Sequence, residues 1–348
     1  MRNRRLTVLT TAVGAALPAA GLTALAAAGV TGAQPAPGVR TAAAAVRPLV
    51  TTSSPQWAGI RGSSIQLFKG TRYDTPVFST ALYNLRATGA NAVSLVVQIG
   101  QQTIPSDTRS KNYKRDLRSG FDDSSSVGAN KLTPVTSELR HAIVAAHNAG
   151  LKVMLDVHVE TLIKNGWRGR IQPLDLPHWF AAYQKQLTNY ATLAQQTHVE
   201  YFELGTELCQ ISGAPATGRT KARSQQLEQL WETLIIHVRN VYKGKLVYIA
   251  QWDGRENANV HFLKYLDYFG IGGYKPLTAP DTPYSQSQAL AALASWDRTV
   301  VKPLLNLVRQ QHSRAQLLLG EFGYRSIAGA DRSPSDYTNT TGTYDPGG

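Results

Sequence analysis

The chain has 348 residues, 43% apolar and 17% charged, and its 36 Lys and Arg against 23 Asp and Glu give a formal charge of +13. That much apolar material fills a large core, which argues against wholesale disorder and against a fibrous chain. A single cysteine excludes an internal disulfide framework and any multi-cysteine zinc or iron–sulfur site.

The N-terminal segment reads as targeting. Arg2, Arg4 and Arg5 are followed by a charge-free stretch over residues 6–32, rich in Ala, Leu, Thr and Val. It is long enough for a membrane span. Thr31-Gly32-Ala33 resembles a small-residue cleavage site, and Gln34-Pro35-Ala36-Pro37 follows it. A removed export signal is therefore expected over residues 1–33, with secretion rather than stable membrane insertion. The Arg4-Arg5 pair resembles a twin-arginine signal, but the rest of that motif is loose and the general export route stays open. Residues 34–54 read as an Ala/Pro/Thr-rich linker, leaving residues 55–348 as the folded domain. Removing residues 1–33 takes away three positive charges and leaves +10. The remaining basic residues are scattered, so no nucleic-acid partner is expected.

From there strand and helix alternate. Residues 57–62 read as a weak first strand and residues 76–88 as its helix. Residues 92–98 are a strong second strand, followed by a polar loop over 99–133. Helix 134–149, with Pro134 at its start and Gly150 at its end, precedes a third strand over 151–157. Helix 177–197 leads to the fourth strand, 199–205. Helix 222–242 is the clearest amphipathic one: Leu227, Leu230, Trp231, Leu234, Ile235, Val238 and Val241 recur at three- and four-residue steps. A fifth strand follows at 246–250, a short helix at 262–265 and a sixth strand at 268–273. Helix 288–311 and a seventh strand at 316–320 complete the pattern.

Such alternation implies a parallel sheet covered by helices. There is no GxGxxG loop after the first strand and no GxxxxGK[ST] motif. Polar residues sit instead just past several different strands, as in a barrel whose site is built at the C-terminal strand ends. The expected fold is a (β/α)8 TIM-type barrel that lacks its eighth β/α unit in this chain, with the edges of strands one and seven exposed.

Two glutamates stand at strand mouths. Glu207 follows Phe202-Glu203-Leu204-Gly205-Thr206, and Glu321 follows Leu317-Leu318-Leu319-Gly320. Strands four and seven can face each other across a barrel. Two carboxyl groups about 5–5.5 Å apart suit retaining glycoside hydrolysis, one as nucleophile and the other as acid and then base. Their proximity raises the pKa of one of them. Asp156, His158 and Glu160 share one strand parity and point to the mouth, for sugar binding, structural hydrogen bonding or a metal. Glu203 lies deeper, as a buried partner for a barrel Arg or Lys. Trp167 and Trp252 offer aromatic faces for sugar rings. Arg168 offers a planar fork for hydroxyls or for its own loop. Thr206 can hydrogen-bond a sugar hydroxyl, and Tyr274 can hold Glu321. Asp253 contacts substrate or caps the next segment, and Arg61 supplies positive potential near the nucleophile. Cys209 has no paired His and reads as a buried small hydrophobe. Trp231 and Trp179 read as packing. No cofactor and no metal is required.

The segments Gly205-Thr206-Glu207-Leu208, Trp167-Arg168-Gly169, Trp252-Asp253, Tyr268-Phe269-Gly270-Ile271-Gly272-Gly273-Tyr274-Lys275-Pro276-Leu277 and Gly320-Glu321-Phe322-Gly323-Tyr324-Arg325-Ser326 together resemble glycoside hydrolase family 113. That family is similar to the clan of retaining (β/α)8 glycosidases with catalytic glutamates after strands four and seven. The resemblance implies that Glu207 is the acid/base and Glu321 the nucleophile, and that the substrate is β-1,4-mannan or glucomannan. A retaining β-glucanase or other β-hexosidase keeps the same two glutamates. The family normally continues through an eighth strand, which leaves open a catalytically inactive carbohydrate-binding protein or a truncated enzyme fragment.

Overall fold

The computed structural model describes residues 7–8, 59–67, 72–101, 117–118, 134–161, 167–173, 175–213, 220–256, 260–279, 283, 285–311, 313–324 and 330–334. Trp57, the 34–54 linker, nearly all of the 1–33 signal and most of the 99–133 loop lie outside them. The barrel belongs to one compact unit that takes in Gly59–Gly348 and Met1–Ala15.

Seven parallel strands carry the fold: β1 (Gly62–Ile65), β2 (Ala92–Gln101), β3 (Lys152–Thr161), β4 (Tyr201–Thr206), β5 (Lys245–Ala250), β6 (Tyr268–Gly272) and β7 (Gln316–Glu321). They pair in chain order from β1 to β7, each parallel to the next. The helices are α1 (Pro76–Ala87), α2 (Thr136–Asn148), α3 (Leu176–Gln196), α4 (Lys221–Val241), α5 (Gln286–Trp296) and α6 (Lys302–Gln310). This is the (β/α)8 architecture with seven of its strands and no full eighth unit among the described residues. The free side of β7 pairs parallel with Thr7–Val8, and Leu117–Arg118 pairs antiparallel with the end of β2.

Local chemistry starts and stops these elements. Thr75, Asp175 and Thr220 each accept a backbone N–H at the first turn of α1, α3 and α4. A π turn over Asp297–Val301 joins α5 to α6, so the helix expected over 288–311 is continuous but widened. Pro303, just inside α6, has no N–H to offer the preceding turn, which favours the wider geometry.

Strand alternation divides the core. Outward-facing Val93, Leu95, Val97, Val153, Leu155, Val157, Phe202 and Leu204 pack under the helices. Trp231 is fully buried there, stacked on Phe262 at 4.5 Å and edge-on to Phe180 at 5.4 Å. Trp179 is buried too, as expected of packing residues. Inside the barrel, Ile60, Ala92, Met154, Tyr201, Val247, Ile249 and Leu318 form an apolar floor. Above it the same strand faces turn polar, with Ser94, Asp156 and Glu203 all buried.

The first strand differs from expectation. It runs Gly62–Ile65 rather than 57–62, because the Ser63-Ser64 pair hides a buried strand within a polar sequence. Arg61 therefore lies at the N-terminal end of the barrel, not at the site. Its N–H donates to Asn91 Oδ1 at 2.8 Å, and its exposed side chain reaches the Gly89 carbonyl. The third strand extends to Thr161, which carries His158 and Glu160 inside the sheet.

Replacing Trp231 by Ala empties the joint between α3, α4 and β5. The expected loss is about 3–5 kcal/mol in denaturant unfolding. A loss below about 1 kcal/mol would contradict this packing.

Candidate active site

Both glutamates follow breaks in strand register. Between β4 and β5, Glu203 pairs with Val247 but Thr206 pairs with Ile249, so β4 spends an extra residue. Between β6 and β7 the pairing jumps from Ile271 with Leu319 to Gly272 with Glu321. Such bulges turn a side chain to a face that simple alternation would deny it. Gly205 permits the first, with φ +148 and no room for a Cβ beside Tyr183 Oη and Leu208. Glu207 then adopts φ +49, the left-handed region, fixed by its N–H donating to the Ile249 carbonyl at 2.8 Å. A bulky residue held there is strained, and strain of this kind concentrates at functional sites.

Arg168 joins the mouth together. Its Nη1 donates to Glu207 Oε2 at 3.3 Å, and its Nη2 lies 3.2 Å from His158 Nδ1 and hydrogen-bonds Glu160. Trp167 Nε1 also donates to Glu207 Oε2, at 3.4 Å. The Trp167 ring lies against Gly169, where a Cβ would fall 2.3 Å from the indole. On the far side of the ring, His158 Nε2 sits 2.9 Å from Asp156 Oδ1 and 3.2 Å from Glu321 Oε1. These last two are close ion-pair contacts without the alignment of hydrogen bonds. Asp156 Oδ2 accepts from Ser94 Oγ at 3.0 Å. Arg168 against Glu207 and His158 against Glu321 are thus linked through the Glu160 carboxylate that both cations share.

The protonation states follow from burial and neighbours. Burial raises the Glu207 carboxyl most; Arg168 opposes this, the charges of Glu321 and Glu256 add to it, and it reaches about 7. Burial disfavours a charged His158, but the Asp156 carboxylate overrides that and holds the ring protonated well above its ordinary range. Burial likewise opposes ionisation of Asp156, yet His158 pulls its pKa down. Glu160 is also lowered: Arg168 and His158 outweigh its burial. Glu203 has no Arg or Lys partner among the described residues, contrary to expectation. It is buried against Asp156, and burial plus that charge keep it a neutral acid. Asp156, His158 and Glu321 atoms lie within 4.8 Å of one another, close enough to share a cation. A metal there must displace the His158 proton, because ligands bind deprotonated. The imidazolium already supplies the positive charge.

The remaining expectations divide. Trp252 lies at the mouth beside Glu207: Trp252 Cβ and Glu207 Oε1 are each 3.7 Å from where a side chain on Gly272 would begin. Lys275 Nζ stands 5.6 Å over the Trp252 ring. Thr206 is fully buried below Glu207, and its hydroxyl has no hydrogen-bond partner among the described residues. Tyr274 is buried just past Gly273, whose N–H donates to the Glu321 carbonyl. Asp253 turns to its own loop, where Oδ1 accepts from Arg255 N at 2.9 Å and Oδ2 pairs with the Arg255 guanidinium at 2.6 Å. It caps rather than joins the cluster. Cys209 is buried as expected, with its thiol pushed up by burial. Sequence reasoning missed Glu256, a fully buried carboxyl in a loop that reads as surface.

The family model of Glycoside Hydrolase Family 113 matches residues 122–346, and the chain belongs to that family. Among solved structures, a GH113 β-1,4-mannanase is 23% identical over 80% of this chain and 76% of its own, with a TM-score of 0.57. The GH113 β-mannanase AaManA from Alicyclobacillus acidocaldarius, in complex with ManMIm, is 22% identical over 77% of this chain and 71% of its own, with a TM-score of 0.56. A search of curated proteins finds no match. Family and fold together define a glycoside hydrolase.

Arg168→Met keeps much of the side-chain volume but removes the cation beside Glu207. Without it the Glu207 carboxyl is harder to ionise, so the acid form persists to higher pH. The alkaline limb of the kcat/KM profile is expected to move upward while kcat falls. A limb that moves to lower pH would contradict the Arg168–Glu207 contact.

Proposed function

We propose that the chain is a retaining glycoside hydrolase that cleaves β-1,4-mannan or glucomannan by double displacement. The observation that carries this reading is a pair of strand-end carboxyls linked through Arg168, Glu160 and His158, with Glu207 held near neutrality at about 7. A carboxyl with that pKa is suited to general acid catalysis at neutral pH.

In the first step a Glu321 oxygen attacks the anomeric carbon. The bond from that carbon to the leaving oxygen breaks, and Glu207 gives its proton to that oxygen. In the second step the Glu207 carboxylate takes a proton from water. The water oxygen attacks the anomeric carbon and the bond to Glu321 breaks. Two inversions leave net retention. The imidazolium of His158 lies 3.2 Å from Glu321 Oε1 and fixes where that carboxyl stands. Trp167 and Trp252 stand beside Glu207, where aromatic faces take up sugar rings. The mannanase activity of the two GH113 structures supports the choice of mannan. The charge-free segment behind Arg4-Arg5 supports a secreted enzyme. None of the described helices is long and apolar enough to cross a membrane.

Product analysis on mannan, glucomannan, cellulose and xylan tests the substrate. Mannan and glucomannan are expected to release oligosaccharides; cleavage of cellulose without cleavage of mannan would overturn the choice. Glu207→Gln and Glu321→Gln are each expected to lower kcat on mannan by about 10²–10⁴-fold or more with the fold retained, checked by thermal unfolding. Near-normal turnover by either variant would remove that residue from its role. In the wild type kcat/KM is expected to fall as pH rises through about 7, because the acid must carry its proton.

A further inference from the structure

Behind the mouth lies a second buried carboxyl that the mechanism does not use. We propose that Glu256 is a positioning residue for the general acid, locking the backbone around Glu207 to the loop after β5 that carries Trp252. The proposal rests on the reading of Glu207 as the acid.

Glu256 is wholly buried. Its Oε1 accepts from Ser212 Oγ at 2.5 Å and from Tyr248 Oη at 2.5 Å. Its Oε2 accepts from Gln251 N at 2.8 Å and lies 3.3 Å from Cys209 Sγ. Two of these partners hold the glutamate segment. Tyr248 Oη accepts the Leu208 N–H at 3.1 Å, and Cys209 Sγ lies 3.4 Å from the Glu207 carbonyl. Ser212 ends the one-turn helix Cys209–Ser212, which starts two residues after Glu207. Gln251 starts the loop that continues into Trp252. One carboxyl therefore ties together both chain segments that flank the acid.

Such a tie has a purpose. Glu207 sits at φ +49, a conformation a glutamate does not hold by itself. Persistence of a strained backbone requires that its surroundings over-determine it. The Glu207 and Leu208 N–H groups and the Glu207 carbonyl all have partners on or through β5 and Cys209. Glu256 fixes two of those partners, Tyr248 and Cys209. A free acid must also be placed to within a fraction of an ångström of the leaving oxygen, since misplacement of about 1 Å costs about 10²-fold in rate.

Its charge adds a second effect. The groups that act on the Glu207 carboxyl are Arg168 and Trp167 from the loop after β3, Glu321 from β7 and Glu256. Glu256 stands among Tyr248, Ser212, Cys209 and Gln251, with no cation in direct contact among the described residues. Burial raises the pKa of Glu256 itself, which the hydrogen bonds from Ser212, Tyr248 and Gln251 oppose; in its ionised form it disfavours a second charge on Glu207 and so prolongs the acid form.

The test compares Glu256→Gln and Tyr248→Phe on two substrates, mannohexaose and a dinitrophenyl β-mannoside whose leaving group needs no proton. Glu256→Gln keeps the shape and loses the charge. Its kcat/KM on mannohexaose is expected to fall about tenfold or more, and on the dinitrophenyl substrate to stay within about twofold. Its alkaline limb moves to lower pH. Tyr248→Phe keeps the charge and removes the Leu208 acceptor; it is expected to lose rate on mannohexaose without moving the limb. Folded Glu256→Gln with wild-type rates and an unmoved limb overturns the proposal. So does an equal fall on both substrates, which is general structural damage. If Glu256→Gln does not fold, Tyr248→Phe decides, and an unchanged mannohexaose rate overturns the proposal. Failure of the underlying reading is separate: Glu207→Gln would then hydrolyse mannohexaose like the wild type.

Discussion

The constraint on which this site depends is the confinement of several carboxyl groups in one buried barrel mouth around two cations, Arg168 and His158. Asp156, Glu160, Glu203, Glu207 and Glu321 all lie within the reach of Arg168 and His158, directly or through one another. Like charges cannot all ionise at such separations. The cluster resolves the conflict by inequality. Asp156 and Glu160 ionise against the two cations, Glu203 stays neutral, and Glu207 is left near the midpoint at about 7. A proton available for transfer is thus a consequence first of burial and then of charge crowding.

The fold makes that crowding affordable by layering. The floor of the barrel is apolar from Ala92 to Leu318, so no water path is needed below the polar layer. Ser94 and Asp156 sit on that floor, and His158 stands on Asp156. Buried ion pairs are costly unless well partnered, and removing one partner is far worse than never having had either. The arrangement is therefore all or nothing. Arg168 without Glu160, or His158 without Asp156, leaves a buried charge uncompensated.

Much of this was legible in the sequence. Six of the strands and their helices follow from apolar runs and 3.6-residue periodicity, and the mouth positions of Glu207 and Glu321 follow from the apolar residues that precede them. The parity of Asp156, His158 and Glu160 correctly pointed all three inward, and Trp167 and Arg168 were marked by the family pattern. What could not be read depends on register and depth. Ser63-Ser64 conceals the first strand, which moved Arg61 to the wrong end of the barrel. The two bulges that aim the glutamates leave no sign in composition beyond Gly205 and Gly320. Glu203 and Glu256 look like ordinary acidic residues in sequence; only the packing around them reveals one as a neutral acid and the other as a buried tie.

The central claim is that Glu321 forms the covalent bond to sugar while Glu207 handles the proton. Trapping with an activated 2-deoxy-2-fluoro-β-mannoside, followed by peptide mapping in a mass spectrometer, tests it most directly. A fluorosugar on the peptide bearing Glu321 is the predicted result. Label on Glu207 or Asp156, or turnover of an activated β-mannoside to the inverted α-anomer with no label at all, would contradict it.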